Sequence, residues 1–162
     1  MNFKTLSIAV SLALAAGASF AGDIDLSTGT APSPERTLQL AEALAELARV
    51  LCHQTRHHEA LRYPADADRL VRELSAMAGR LPQLLQQVSA WLEAEHAAGR
   101  VRAAGGDYAG RADAAVSAAR VRLDMARGAA AALRQELDFA ASLTCDLGGV
   151  EDGSDDEGSG DG

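Results

Sequence analysis

The stretch ADAAVSAARVRLDMARGAAAALRQELDFAASLTCDL, residues 112–147, decides the fold. Ala112, Val116, Ala119, Leu123, Ala126, Ala130, Leu133, Leu137, Ala140, Thr144 and Leu147 recur at alternating spacings of four and three. That spacing keeps one apolar seam on one face of a helix. Asp107 can cap it and Gly148-Gly149 can end it, so the pattern predicts a helix over 107–147, roughly 60 Å long at about 1.5 Å per residue. Many seam positions are alanine. The helix should therefore approach its neighbours near the close end of the usual 8–10 Å range, and its core should be thin because each alanine buries little area.

Upstream lies a Gly-rich loop, residues 99–106, and before it a second helical pattern over 65–98. Its stripe is Leu70, Leu74, Met77, Leu81, Leu84, Val88 and Trp91, flanked by Val71, Ala78, Leu85 and Leu92. A stripe that wide faces two partners rather than one. Pro82 removes a backbone donor inside it, which predicts a kink near 79–82 or a break into two shorter helices. Gly99 is a C-cap candidate. Tyr63-Pro64 makes a turn, with Asp66 and Asp68 near the positive end of the following helix dipole. The first helix is expected over 34–62, capped by Ser33, with Pro34 at its first position. Its seam is Leu40, Leu44, Leu47 and Leu51, continued through Gln54, His58 and Leu61. The predicted fold is all-α: three long antiparallel helices over 33–147, bundle or coiled-coil-like, followed by a disordered acidic tail.

Composition agrees. Of 162 residues, 35 are alanine and 21 leucine, only six are aromatic, and β-branched residues are scarce, which argues against sheet folds. The length suits one modest domain. Of the net charge of −8, the tail 148–162 carries −6, from six acids and no base, and residues 1–31 carry −1, leaving −1 for the body. Val150 is the tail's one sizeable apolar side chain, too little to offset ordering entropy.

Residues 1–21 read as a signal peptide: Lys4, an apolar stretch over 6–18, and a small-x-small site ending at Ala21, with cleavage before Gly22. Residues 22–32 form a linker. No other segment approaches the length of a membrane span, so the mature chain is expected to have none. The only Lys, the only Asn and both Ile residues lie in the first 24 positions, while the remainder uses Arg for every positive charge. Either two sequences of separate history have been joined, making the chain a chimera, or the leader has its own composition as leaders do. Export, to the periplasm or outside the cell, follows if the leader is native; the body alone would be cytoplasmic.

The N-terminal residues, particularly GDIDLSTGTA over 22–31, resemble the start of exported PEP-CTERM proteins of the FxDxF type. That resemblance implies export only, since the C-terminal Pro-Glu-Pro motif, apolar helix and basic end of the class have no counterpart in this sequence. The body, 33–147, is similar in style to Ala/Arg-rich helical proteins of high-GC Gram-positive bacteria, which implies no activity.

Three groups of side chains are candidates for chemistry or binding. His53 and His57, four apart on one helix face, have a spacing that suits Zn²⁺ or Cu²⁺, but neither an HExxH motif nor a second Cys/His cluster accompanies them. The bland alternative places His58 as a polar layer in the seam and leaves the other two solvated. Arg120, Arg127 and Arg134 recur every seven residues and suggest a polyanion stripe. Asp124 and Asp138 lie within ion-pairing distance on the same helix, and no aromatic interleaves for base stacking, so an ion-paired surface is favoured over nucleic acid. Glu93 and His96 make a single Glu-x-x-His, which di-iron bundles use in pairs. Cys52 and Cys145 sit at different heights in a simple bundle, too far apart to bridge. No phosphate loop, nucleophile elbow or nucleophile pair is evident, and no cofactor is implied. The expected role is non-catalytic: a helical interaction or structural module that binds a protein partner or itself through its helix faces.

Overall fold

The computed structural model describes Gly29 and residues 31–148; the leader, its Ala21–Gly22 site and the acidic tail lie outside the described residues. Among the described residues there are four α-helices, α1 (Pro34–Gln54), α2 (Pro64–Ala78), α3 (Leu81–Ala97) and α4 (Ala112–Thr144), with 3₁₀ turns at His58–Ala60 and Gly106–Tyr108. The described residues contain no strand, and none of their helices is long and apolar enough to cross a membrane. The chain divides into two units, 1–60 and 61–162.

In the first unit, extended Ser33 accepts a hydrogen bond from the Arg36 N–H at 3.2 Å, and Pro34 opens α1 where its missing donor costs nothing. The helix ends at Gln54 rather than near 62. Thr55, His57 and His58 follow, all weaker helix formers than the alanines and leucines before them, and Thr55 turns its hydroxyl back onto the Leu51 carbonyl at 3.0 Å. Leu44, Leu47 and Leu51 remain exposed along α1.

In the second unit, Asp66 reaches back to accept from the Arg62 and Tyr63 N–H groups, each at 2.9 Å, and so starts α2. The expected 65–98 helix is two helices. Pro82 cannot donate to the Ala78 carbonyl; the chain instead tightens, with Arg80 N–H donating to the Met77 carbonyl at 3.0 Å, before α3 begins. Gly99 (φ 70°) closes α3 in a Schellman turn, with Arg100 N–H on the Glu95 carbonyl and Gly99 N–H on the His96 carbonyl. The left-handed glycines Gly106 and Gly110 then hold off the next helix, so α4 starts at Ala112 instead of Asp107 and stops at Thr144, three residues before the expected end.

Cross-helix contacts fix the arrangement of this unit. Thr144 Oγ1 donates to Asp68 at 2.9 Å, Ser75 Oγ donates to Asp138, Arg134 lies over Gly79, Arg120 pairs with Glu93 at 3.2 Å, and His96 lies 2.7 Å from Asp113. As the number rises from 68 to 96 on one side, it falls from 144 to 113 on the other. Helices α2 and α3, of 15 and 17 residues, therefore run consecutively and antiparallel along the 33 residues of α4. Of the three antiparallel helices expected, this unit contains a pair, one member of it broken.

The seam of the pair is small. Ser75, Ala78, Val116, Ala130 and Ala141 are buried, and no large side chain among the described residues is fully buried. On α4 the inward face follows the expected seam through Val116 and Ala130. On α2–α3 it is shifted by one position: Val71, Ala78, Leu85 and Leu92 face inward, whereas Leu84, Val88 and Trp91 are 49%, 41% and 61% exposed.

Candidate interaction faces

The one-position shift gives the hairpin two unlike sides. A residue one before a seam position is turned about 100° around its helix axis, and in an antiparallel pair the i−1 positions of both helices turn to the same side. On α3 those positions are Leu84, Val88 and Trp91. On α4 the positions one before Val116, Leu123, Ala130, Leu137 and Thr144 are Ala115, Arg122, Ala129, Glu136 and Leu143. The other half of the expected seam, Ala119, Ala126, Leu133 and Ala140, turns toward the same side, with Ala126 and Leu133 exposed. That side of the hairpin thus carries large apolar side chains along α3 and mostly small ones along α4, with Arg122 and Glu136 the charges on it. A second exposed line, Val121, Met125, Phe139 and Leu143, runs down α4 away from its partner.

The opposite side is polar, and each member of the arginine stripe has a carboxylate beside it. Arg120 reaches Glu93 on α3 at 3.2 Å, Arg127 lies 3.4 Å from Asp124, and Arg134 lies 3.5 Å from Asp138. All six side chains are exposed, so each pair contributes little to stability.

His53 and His57 are brought together, though not as one helix face. His53 is in the last turn of α1; His57 lies beyond its end, returned by a turn in which His57 N–H donates to the Gln54 carbonyl at 3.0 Å. Their ring centroids are 5.4 Å apart. His58 begins the 3₁₀ turn and is exposed, so it forms no layer in a helical seam. No group of three or more His, Cys, Asp or Glu side chains among the described residues is placed to hold a metal ion. Cys52 and Cys145 are both free and exposed.

Two features were not readable from the helical pattern. His96, in the last turn of α3, meets Asp113 in the first turn of α4, closing the hairpin's loop end, and with Glu93 and Arg120 it lines a shallow hollow of about 230 Å³. Asp138 takes both Ser75 and Arg134. His96–Asp113 and Ser75–Asp138 cross between helices, so their signal lies in the register of α4 and not in any local motif, whereas Arg134–Asp138 is the i,i+4 pair already legible on α4.

Four carboxylates are held below their usual range. The Arg49 guanidinium does this for Glu46, Arg100 for Glu95, Arg72 for Asp68, and for Asp66 the N–H groups of Tyr63 and Arg62. A carboxyl depressed in the folded state stabilises it above the unfolded value, about 4, and that contribution is lost as pH falls through the folded value. Helicity followed by circular dichroism should stay level from pH 7 to about pH 5 and decline below about pH 4. Asp66→Asn should shrink that acid limb, since its cap no longer titrates.

No family model, curated protein or solved structure matches this chain.

Proposed function

We propose that the chain is a non-catalytic helical interaction module that associates with a second copy of itself, completing between molecules the bundle that its hairpin begins. The observation that carries this reading is the hairpin's incomplete burial. A helix pair whose buried side chains are four small residues and one valine, with Leu84, Val88 and Trp91 exposed in a line, has a core short of large side chains and an apolar face to spare. The face is also self-complementary in kind. Across a twofold axis, the large residues of α3 in one copy meet the alanine-lined side of α4 in the other, as a closed symmetric interface requires. Four antiparallel segments then share one core.

Trp91 is the one tryptophan and sits in this line, so its emission reports the contact. Dilution of the full chain should shift it to longer wavelength while sedimentation equilibrium records the fall in mass. A mass equal to one chain at all concentrations, with unchanged emission, would falsify the reading.

A second reading rests on the 5.4 Å approach of His53 and His57: a two-histidine site for Zn²⁺ or Cu²⁺ at the end of α1. With two protein ligands the affinity is modest, and calorimetric titration with Cu²⁺ should give heat that disappears in His53→Ala/His57→Ala. An unchanged isotherm in that variant removes the site. If the leader is used as read, the secreted chain begins near Gly22, which mass spectrometry of the exported protein checks.

A further inference from the structure

Where α2 gives way to α3, on the side of the hairpin opposite the apolar line, lies a cleft of about 680 Å³. Arg72, Arg80 and Arg134 line it, with Ser75, Gln83 and the single carboxylate Asp138. Its form follows from the break. Gly79 presents bare backbone, and the Arg134 side chain lies across it: a Cβ there would stand 3.1 Å from Arg134 Cδ and 3.3 Å from Nε and Nη1. Asp138 is already engaged, accepting from Ser75 Oγ and lying 3.5 Å from Arg134 Nε. Arg72 uses its Nε on Asp68 at 2.8 Å, which leaves its terminal nitrogens. Arg80 has no carboxylate partner among the described residues. Three guanidinium groups against two carboxylates, Asp138 and the Asp68 that holds Arg72, leave the cleft positive by one charge, with Arg80 its unpaired cation among the described residues.

We propose that this cleft binds a diphosphate-class oxyanion. Guanidinium groups match phosphate oxygens with paired donors, and three of them line a cleft whose volume of about 680 Å³ has room for two linked phosphate groups. The lining has no aromatic side chain, so the base of a nucleotide finds no stacking surface and only the diphosphate is recognised. The site differs from the expected stripe: of Arg120, Arg127 and Arg134, only Arg134 belongs to it.

Calorimetric titration of the full chain with sodium pyrophosphate at low ionic strength tests the proposal. One site per chain is expected, with affinity falling steeply with added salt. Arg80→Gln and Arg134→Gln should each weaken binding at least tenfold, while Arg120→Gln and Arg127→Gln leave it within twofold; circular dichroism confirms that all four stay helical. Because Arg134→Gln also loosens a contact on Gly79, Arg80→Gln, whose residue has no ion pair to lose, is the decisive variant. ADP should bind as pyrophosphate does. Absence of binding, equal loss in the Arg120 and Arg127 variants, retention in Arg80→Gln, or ADP binding more than tenfold tighter than pyrophosphate would each overturn the assignment.

Discussion

Leu84→Asp/Val88→Asp should give a folded, helical monomer. Each side chain is about half exposed in the single chain, so its burial in an assembly contributes about half of the 1.5–3 kcal/mol of a fully buried aliphatic residue, roughly 1 kcal/mol. Two positions in each of two copies make about 4 kcal/mol, or roughly a thousandfold in the dissociation constant. Desolvating the introduced carboxylates adds to the loss. The hairpin itself should survive, because both positions lie one step off its seam. Sedimentation equilibrium and circular dichroism of the same sample separate the two effects. Loss of helicity together with loss of association would mean that these residues hold the fold, and the assignment of Leu85 and Leu92 to the inward face would fall.

Ala78→Leu should do the reverse and attack the hairpin from within. Ala78 is 0% exposed, at the end of α2, beside Gly79 with Arg134 across it. Three further carbons there force the helices apart or the new side chain off its rotamer, at a cost of about 1–3 kcal/mol. For a folded unit of this size each kcal/mol moves Tm by about 4–8 °C, so a fall on the order of 10 °C is expected in thermal denaturation followed by circular dichroism. Ala76→Leu is the control. Ala76 is exposed two positions away, and the change should move Tm by no more than about 2 °C, since surface substitutions away from such features usually stay within ±0.5 kcal/mol. Equal effects at 76 and 78 would show that the seam does not pass through Ala78.

How far each feature could be read in the sequence depended on how local its cause is. Ser33-Pro34, Tyr63-Pro64 with Asp66, Pro82 and Gly99 act on backbone groups within four residues of themselves, and the helix boundaries they mark are visible as residue types. The end of α1 is a sum of weak preferences over Thr55, His57 and His58, which a seam read through Gln54 and His58 passes over. The face of α2–α3 could be located only to within one position. The stripes 77, 84, 91 and 78, 85, 92 are both apolar, and periodicity alone does not say which one meets α4. Nor does size, since Ala76 is as small as Ala78 and is exposed; Ser75 and Ala78 are the two buried on α2 because the register of α4 brings that line against it. The cleft at the break was out of reach, because it depends on Arg134 arriving opposite Gly79, and that is set by the length of the 98–111 connection and the register of the whole pair.

Since α2 and α3 are interrupted where α4 is continuous, the hairpin is built like a splinted joint. Bending of this hairpin along its length should concentrate at Gly79–Arg80, where the ladder lacks the Pro82 donor, and be resisted by the unbroken helix opposite. Arg134 crosses that joint directly over Gly79, so whatever occupies the guanidinium also sets how freely the joint can flex.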